Sequence, residues 1–179
     1  MNTEEKNIWT IGHSTRDLED LVNILNDFDI THLVDVRNYP GSKRYPHFNK
    51  EALEFSLPAQ NIRYTHLKDL GGRRTARPNS GNTGWKNSAS RGYADYMKTE
   101  DFATAMTQLE EIAAKEKTAY MCSEAVWWSC HRALISDYLK ARGWKVWHII
   151  SAGKATEHPY TKPAKIINGA LTYRVQELF

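Results

Sequence analysis

Short apolar segments and longer amphipathic segments alternate along the chain, and this alternation predicts a repeating strand–helix pattern. Apolar runs of the length of a buried strand lie at residues 7–11, 31–36, 62–67, 118–122 and 144–150. Between these runs, apolar residues such as Leu18, Leu21 and Leu25 recur three and four positions apart, which is the spacing of one helix face. Because strands that alternate with helices pair in parallel, the sequence predicts an α/β fold with a mostly parallel five-stranded sheet flanked by helices.

Cap and turn residues place the boundaries of these elements. The predicted helix starts are a capping box from Ser14 to Asp17, Thr99 or Asp101 for a long helix, and Ser129 for a helix that carries Cys130 in its first turn. Asn168-Gly169 lies between two β-prone stretches and predicts a hairpin. We therefore expect one domain over residues 1–179, with a core at about 8–150 and a C-terminal hairpin extension at about 158–179.

The composition agrees with a globular protein and excludes several classes. Hydrophobic residues make up 41% and charged residues 25% of the chain, which excludes wholesale disorder. Two cysteines make no disulfide framework, and no apolar run approaches the roughly 20 residues of a membrane span. We therefore expect a soluble, cytoplasmic protein with reduced thiols and no membrane partner.

Reactive side chains collect where the predicted strands end. Acids, histidines, thiols and arginines follow successive strands: His13; Asp35 and Arg37; Gly71, Gly72 and Arg73; and Cys122, Glu124, Cys130, His131 and Arg132. Ligands of open parallel sheets bind outside the carboxyl ends of the strands. The sequence therefore predicts that these residues converge on one edge of the sheet.

Cys122 is the candidate nucleophile of this edge, with Glu124 and His13 as the groups that handle protons. A thiol near a helix start and an arginine ionises more readily than a free thiol, and carboxylates and imidazoles serve as general acids and bases. The alternatives are a buried, inert cysteine, an ion-paired glutamate and a hydrogen-bonded histidine.

A second group of residues can bind an anion. It comprises Arg37, Gly71, Gly72, Arg73, Cys130, His131 and Arg132. Arginine grips anions through parallel hydrogen bonds, and glycine lets the backbone approach a ligand closely. The alternative is ordinary ion pairing of the arginines with Asp35 or Glu124, and we interpret Asp35 as a structural orienter.

Zinc and iron are a less favoured interpretation of the same residues. Cys122, Glu124, Cys130 and His131 are side chains that these metals accept as ligands. Their spacing matches no familiar zinc finger or ribbon, so no metal site and no cofactor is assigned.

Basic residues concentrate in two loops near the predicted site. Lys43, Arg44 and Lys50 lie in the first loop without an acid after Asp35, and residues 63–91 carry a second basic run interleaved with Trp85. Such a pattern is typical of proteins that bind nucleotides or nucleic acid, although a solvated basic loop explains it equally well. The role of the polar segment 71–90, and whether it is ordered, stays open at this point.

Five sequence blocks, taken together and in order, resemble the uncharacterised domain of unknown function 488 family. The resemblance covers residues 8–150 and implies an α/β fold and a shared motif set, but no reaction. The blocks are Thr10-Ile11-Gly12-His13-Ser14, Val34-Asp35-Val36-Arg37-Asn38-Tyr39-Pro40, Phe48-Asn49-Lys50, Leu70-Gly71-Gly72-Arg73, and Cys122-Ser123-Glu124 with Cys130-His131-Arg132.

A second resemblance concerns the arrangement of strands and loops only. A strand that leads through a loop from Cys122 into a helix is similar to rhodanese-type sulfurtransferases, which hold an anion above a cysteine with loop amides. The loop from Cys122 to Arg132 is longer than in that family and lacks its compact glycine-bearing turn.

Three functional hypotheses follow. The leading one is an enzyme that acts on an anionic, nucleotide-like or nucleic-acid substrate through the cysteine, glutamate, histidine and arginine residues at the strand ends. The second is a non-catalytic nucleic-acid-binding module. The third is rhodanese-like cysteine chemistry or a zinc- or iron-binding protein.

Overall fold

A computed structural model describes residues 5–175, which form eight strands and five α-helices; strands and helices alternate up to β5, except that α3 and α4 are consecutive. The strands are β1 (Asn7–Gly12), β2 (His32–Asp35), β3 (Arg63–His66), β4 (Thr118–Cys122), β5 (Lys145–Ser151), β6 (Lys154–Glu157), β7 (Lys165–Ile167) and β8 (Ala170–Thr172). The helices are α1 (Leu18–Asp27), α2 (Lys50–Ser56), α3 (Ser88–Tyr96), α4 (Glu100–Lys115) and α5 (Arg132–Ala141). The outermost residues of the predicted domain, 1–4 and 176–179, lie outside the described residues.

Six of the strands form one sheet in the order β3-β2-β4-β1-β5-β6, which confirms the predicted α/β fold and its mostly parallel sheet. The first five strands in this order pair in parallel, and β6 pairs antiparallel to β5 at the edge. The predicted count of five strands misses β6. This strand is short, polar and exposed at the edge of the sheet, so it lacks the apolar run by which buried strands are recognised.

Helices cover both faces of the sheet, and alternate side chains of β4 pack against each face. Ala119 and Met121 pack on the face of α1 and α2, whereas Tyr120 and Cys122 pack on the opposite face with α3, α4 and α5. Successive side chains of a strand point to opposite faces. A strand buried on both sides therefore appears as a continuous apolar run, as residues 118–122 do.

Two helix starts differ from those predicted. Helix α1 is capped by Asp17, whose carboxylate accepts the N–H of Asp20 at 2.8 Å, because Ser14 is held against β4 through its N–H bond to the Ser123 carbonyl. Helix α5 begins at Arg132 and not after Ser129, since residues 127–129 form a separate 3-10 turn.

The helix start predicted at Thr99 and the hairpin turn predicted at Asn168-Gly169 are confirmed. The Thr99 hydroxyl caps α4 by accepting the N–H of Phe102 at 3.3 Å. Asn168 and Gly169 both have positive φ, at 52° and 78°, and join β7 to β8 as the predicted hairpin. Within residues 5–175, no helix is long and apolar enough to cross a membrane.

The polar segment 71–90 is built around one buried carboxylate. Asp95 accepts hydrogen bonds from the Arg77 N–H at 2.9 Å, the Ser80 hydroxyl at 2.6 Å and the Asn82 amide at 2.7 Å. These bonds fold the segment back onto α3, the helix that begins at its end. The segment is therefore an ordered wall beside the strand ends.

Candidate functional site

The site begins where β1 and β4 end side by side. Gly12 pairs with Cys122 in the parallel register, and the pairing continues from the His13 N–H to the Cys122 carbonyl at 3.0 Å. The chain leaves β1 towards α1 on one face and leaves β4 towards α5 on the other. Such a reversal between neighbouring strands opens a crevice at which ligands bind.

Gly12 is required for this crevice to form. A Cβ atom at this position would lie 1.6 Å from the Glu124 carbonyl oxygen, which is closer than any two non-bonded atoms can approach. The sequence identified Gly12 only as the end of a strand. Its absent side chain allows the loop after β4 to cross directly over β1.

A cavity of about 670 Å³ lies over these strand ends. Its floor and walls come from the ends of β1, β2 and β4, the loop after β2, and the segments at residues 72–73 and 87–93. Eight of the predicted residues line it: His13, Arg37, Gly72, Arg73, Cys122, Glu124, Cys130 and His131. Asp35, Gly71 and Arg132 lie outside this lining.

The two cysteines form a close pair at the base of the cavity. Their Sγ atoms lie 2.9 Å apart and both thiols are free. Cys122 is only 2% exposed, whereas Cys130 is partly exposed. The Cys130 Sγ also accepts the backbone N–H of Arg132, at 3.4 Å, at the start of α5.

These surroundings separate the two thiols in acidity. The hydrogen bond from Cys122 lowers the pKa of Cys130 from 9.0 to about 6, and the nearby Arg132 adds to this effect. Burial raises the pKa of Cys122 well above its usual value. Cys130 is therefore the thiolate at neutral pH, and Cys122 is the thiol that donates to it.

Arg132 is a buried cation beneath this pair. It is 1% exposed; its Nη2 donates to the Glu124 carbonyl at 2.7 Å and its Nη1 to the Thr10 hydroxyl at 3.1 Å. Within residues 5–175 no carboxylate lies within ion-pair distance of it, and its Nε has no hydrogen-bond partner. A buried charge is costly unless it is paired, and the Cys130 thiolate is the nearby anion that balances it.

A chain of buried hydrogen bonds leads away from Arg132. The Thr10 hydroxyl lies 2.6 Å from His148 Nδ1, His148 Nε2 lies 2.8 Å from His158 Nδ1, and His158 Nε2 lies 2.8 Å from the buried carboxylate of Asp137. Arg132 can only donate and ionised Asp137 can only accept. All bonds of this chain can therefore point from Arg132 to Asp137 with both imidazoles neutral.

Sequence reasoning did not identify these relay residues. Thr10 and His148 are neighbours in the register of β1 and β5, and each is a polar residue between apolar residues in the middle of its strand. That interruption was the available signal. Trp127 stacks on His148 with ring centroids 4.5 Å apart and planes within 4°, so its ring packs inward and covers one face of this relay imidazole.

Asp35 and Arg37 form a fixed pair at the end of β2. The buried carboxylate of Asp35 accepts from Arg37 Nε at 2.9 Å and Nη2 at 2.7 Å, and from the Tyr64 hydroxyl at 2.6 Å. Arg37 Nη2 also donates to the Phe48 carbonyl at 2.6 Å. Most of the Arg37 donors are therefore occupied inside the protein, and this arginine shapes one wall of the cavity.

His13 is held by the same cluster. Its Nδ1 lies 2.9 Å from the Ser14 carbonyl and its Nε2 lies 3.2 Å from Arg37 Nη1. The carbonyl can only accept and the guanidinium can only donate, so neutral His13 uses both ring nitrogens. Burial lowers its pKa to about 4, so it is neutral at pH 7.

His131 differs from His13 because one ring nitrogen is left over. Its Nε2 donates to the Val36 carbonyl at 2.6 Å, and burial lowers its pKa to about 4. Its Nδ1 has no partner within the described residues and faces Gly72, where a Cβ atom would lie 3.0 Å away. The absent side chain of Gly72 thus allows its backbone to pack closely against this ring.

Of the remaining predicted residues, one serves packing and two have charged groups that are not engaged by any described residue. Gly71 is a packing residue, because a Cβ there would lie 2.6 Å from the Asn38 Cα. Arg73 is exposed, has a left-handed backbone with φ 61°, and makes no ion pair within residues 5–175. The Glu124 carboxylate is exposed at the cavity, and only its main-chain carbonyl is bonded within the described part of the chain.

Within residues 5–175, no group of three or more histidine, cysteine, aspartate or glutamate side chains is arranged to hold a metal ion. The four candidate ligands predicted from the sequence, Cys122, Glu124, Cys130 and His131, do share the cavity. They do not form a ligand set.

Comparison with known proteins gives one match. The family model described as domain of unknown function DUF488 matches residues 17–139, which is more than half of the 179-residue chain and confirms the resemblance inferred from the motifs. No curated protein and no solved structure gives a significant match.

Proposed function

The chain belongs to the domain of unknown function 488 family, and because that name assigns no reaction, we propose from the geometry of the site that the protein is a cysteine-dependent enzyme for an anionic substrate. Cys130 is its nucleophile. This differs from the sequence-based hypothesis, in which Cys122 had that role.

The observation that carries this proposal is the buried guanidinium of Arg132 against the two thiols. It has no carboxylate partner among residues 5–175, and Cys130 is the more accessible of the two sulfurs beside it. The Cys122 thiol and the first N–H of α5 both donate to the Cys130 sulfur. Three donors or charges thus favour a thiolate at the more exposed of the two sulfurs that line the cavity.

The cavity supplies the other groups that nucleophilic catalysis needs. Arg73 is an exposed cation on its wall and can bind the charge of an anionic substrate. The Cys130 thiolate then attacks the electrophilic centre, a sulfur–substrate bond forms, and the leaving group departs with the electron pair of the broken bond. Glu124 has a free carboxyl group at the cavity and can transfer a proton to that leaving group.

Two alkylating reagents of nearly equal size test both parts of the proposal. Iodoacetate is anionic and iodoacetamide is neutral, so their rate ratio at Cys130 reports on the cation of the cavity. We expect alkylation at Cys130, located by peptide mass spectrometry, and a ratio of iodoacetate to iodoacetamide higher than that of glutathione under the same conditions.

The Arg73→Gln variant should lower this ratio and leave the iodoacetamide rate unchanged. Lys115→Gln is the matched control, since it removes one positive charge near the opposite end of the sheet, where β1 begins. Labelling of Cys122 in preference to Cys130 would reject Cys130 as the nucleophile. A ratio equal to that of glutathione would reject the anionic substrate.

A further inference from the structure

A basic groove adjoins the cavity. It has a volume of about 790 Å³ and is lined by residues between positions 73 and 91, none of them acidic. Its four arginines are Arg73, Arg74, Arg77 and Arg91. Arg73 and Ala89 line both the groove and the cavity, so the two form one continuous surface.

Basic side chains outnumber acidic ones along this surface. Residues 71–94 contain five basic side chains and no acidic one. The next acid along the chain is Asp95, whose carboxylate oxygens already accept hydrogen bonds from the backbone of Arg77 and from Ser80 and Asn82. Among residues 5–175, none of the four groove arginines makes an ion pair. Arg74 is engaged, since its Nε donates to the Gly71 carbonyl at 3.2 Å and its guanidinium stacks on the Tyr96 ring. The other three arginines, Arg73, Arg77 and Arg91, match a ligand with several spaced negative charges, not a single anion.

One exposed aromatic ring shares the cavity with Arg73, and a second is exposed on a neighbouring loop. Tyr39 is 69% exposed and lines the cavity. Trp128 is 64% exposed on the loop between β4 and α5; the residues on either side of it, 122–125 and 129–131, line the cavity, although Trp128 itself does not. The neighbouring Trp127 is packed inward on His148, so of these two adjacent tryptophans only Trp128 presents its ring to solvent. Proteins hold the unpaired bases of a nucleic acid by stacking them on aromatic rings, while nearby arginines and lysines bind its phosphate backbone.

We propose that the substrate of this site is a single-stranded nucleic acid. Its phosphates follow the groove from Arg91 and Arg77 to Arg73, and one nucleotide enters the cavity above Cys130. A base inside a duplex cannot reach a thiolate at the base of a cavity, so the strand must be single or locally opened. This inference depends on the proposed function, because it takes the cavity as the place of reaction.

Binding of a fluorescein-labelled oligonucleotide of about 12 nucleotides, followed by anisotropy between about 50 and 200 mM salt, tests the inference. Mixed-sequence DNA and RNA strands are both used, so the preferred sugar is read directly. We expect log K to fall linearly with log salt concentration. The double variant R77Q/R91Q should reduce the slope by about 1.4, the value for two phosphate contacts to a single strand.

Three further variants separate specific binding from general attraction. R77K/R91K keeps the charge and should restore the slope. K115Q/K117Q removes two charges near the amino ends of the strands and should leave the slope unchanged. Trp128→Ala should weaken binding by about 5- to 150-fold without changing the slope, since it removes stacking and not charge.

The competing ligands give the results that would overturn the inference. Heparin carries charge without bases, and a phosphoserine peptide carries phosphate without bases. If either binds at least as tightly as the oligonucleotides, or if Trp128→Ala has no effect, the ligand is not a nucleic-acid strand. If no oligonucleotide binds while iodoacetate still selects Cys130, this inference is wrong and the proposed function stands. If oligonucleotides bind but iodoacetate does not select Cys130, the proposed function is rejected, and the strand is a ligand of the groove and not a substrate of the cavity.

Discussion

The pH at which Cys130 ionises is the quantity that most directly tests the site. The pKa of this thiol lies at about 6, so the rate of its alkylation by iodoacetamide should be half-maximal near that pH and constant above pH 8. At pH 7 about nine-tenths of Cys130 is thiolate, against about one-hundredth of a thiol whose pKa is near 9.

The rate at pH 7 is a much weaker indicator than the midpoint. The thiolate fraction favours Cys130 by roughly 90-fold, but a thiolate of lower pKa is intrinsically less nucleophilic, by roughly 20-fold for this difference in pKa. The net advantage over an ordinary cysteine is therefore only about four- to fivefold. The midpoint of the pH profile is unaffected by this compensation.

Two variants at position 122 identify the cause of the low midpoint. Cys122→Ala removes the donor to the thiolate and should move the midpoint from about 6 towards 9. Cys122→Ser keeps an O–H donor and should stay closer to the wild-type profile, and Cys130→Ser should remove the low-pH reaction altogether. A wild-type midpoint near 9, or equal profiles for the alanine and serine variants, would refute the assignment of the two thiols.

Three further predictions follow from buried groups. Hydrogen peroxide should oxidise the Cys130 thiolate to a sulfenic acid, which Cys122 converts to a disulfide with loss of water; mass spectrometry of the non-reduced protein should find this bond, and a stable sulfenic acid in wild type would contradict the 2.9 Å pairing. The unfolded chain binds protons at His13 and His131 below about pH 6.5 that the folded protein does not bind until about pH 4. As the pH falls through that window, these two histidines together should lower the free energy of unfolding, measured with urea, by roughly 2–3 kcal/mol per pH unit. Replacing both with glutamine should reduce the slope by that amount, and an unchanged slope would contradict their being neutral in the folded protein. Asp137→Asn should cost about 3–5 kcal/mol of unfolding free energy, because it leaves a buried set of donors without their anion; a loss below 1 kcal/mol would show that the carboxylate charge is not needed.

The parts of the fold that local pattern controls were predictable. Strand β4 matches its predicted bounds at residues 118–122 because it is buried on both faces and has no polar interruption. The turn at Asn168-Gly169 is equally local, since two consecutive positive φ angles leave few other residue pairs. Strand β6 was not predictable in this way, because its four residues, three of them polar, form a strand only by pairing with β5.

The composition of the cavity was predictable, but the roles within it were not. Residues at strand ends meet because parallel strands share one carboxyl edge, and this places His13, Glu124 and both cysteines around one cavity. Which cysteine ionises depends on burial and on the position of Arg132, neither of which the local sequence contains. The role of His13 was not predictable either, because one ring nitrogen bonds the backbone carbonyl of Ser14 and the other bonds Arg37, which is distant in the sequence.

The relay from Arg132 to Asp137 explains why the C-terminal extension is part of the site. The Asp137 carboxylate accepts hydrogen bonds from His158 Nε2 at 2.8 Å, the Thr161 hydroxyl at 2.6 Å and the Tyr173 hydroxyl at 2.8 Å. All three donors belong to residues that follow β5. The region matched by the family model, residues 17–139, contains Arg132 and Asp137 but not these partners. Because a buried hydrogen-bond chain is stable only when each member is satisfied, the segment after β5 helps to keep the guanidinium in place under the cysteine pair, where its charge adds to the effect of the Cys122 hydrogen bond on the pKa of Cys130.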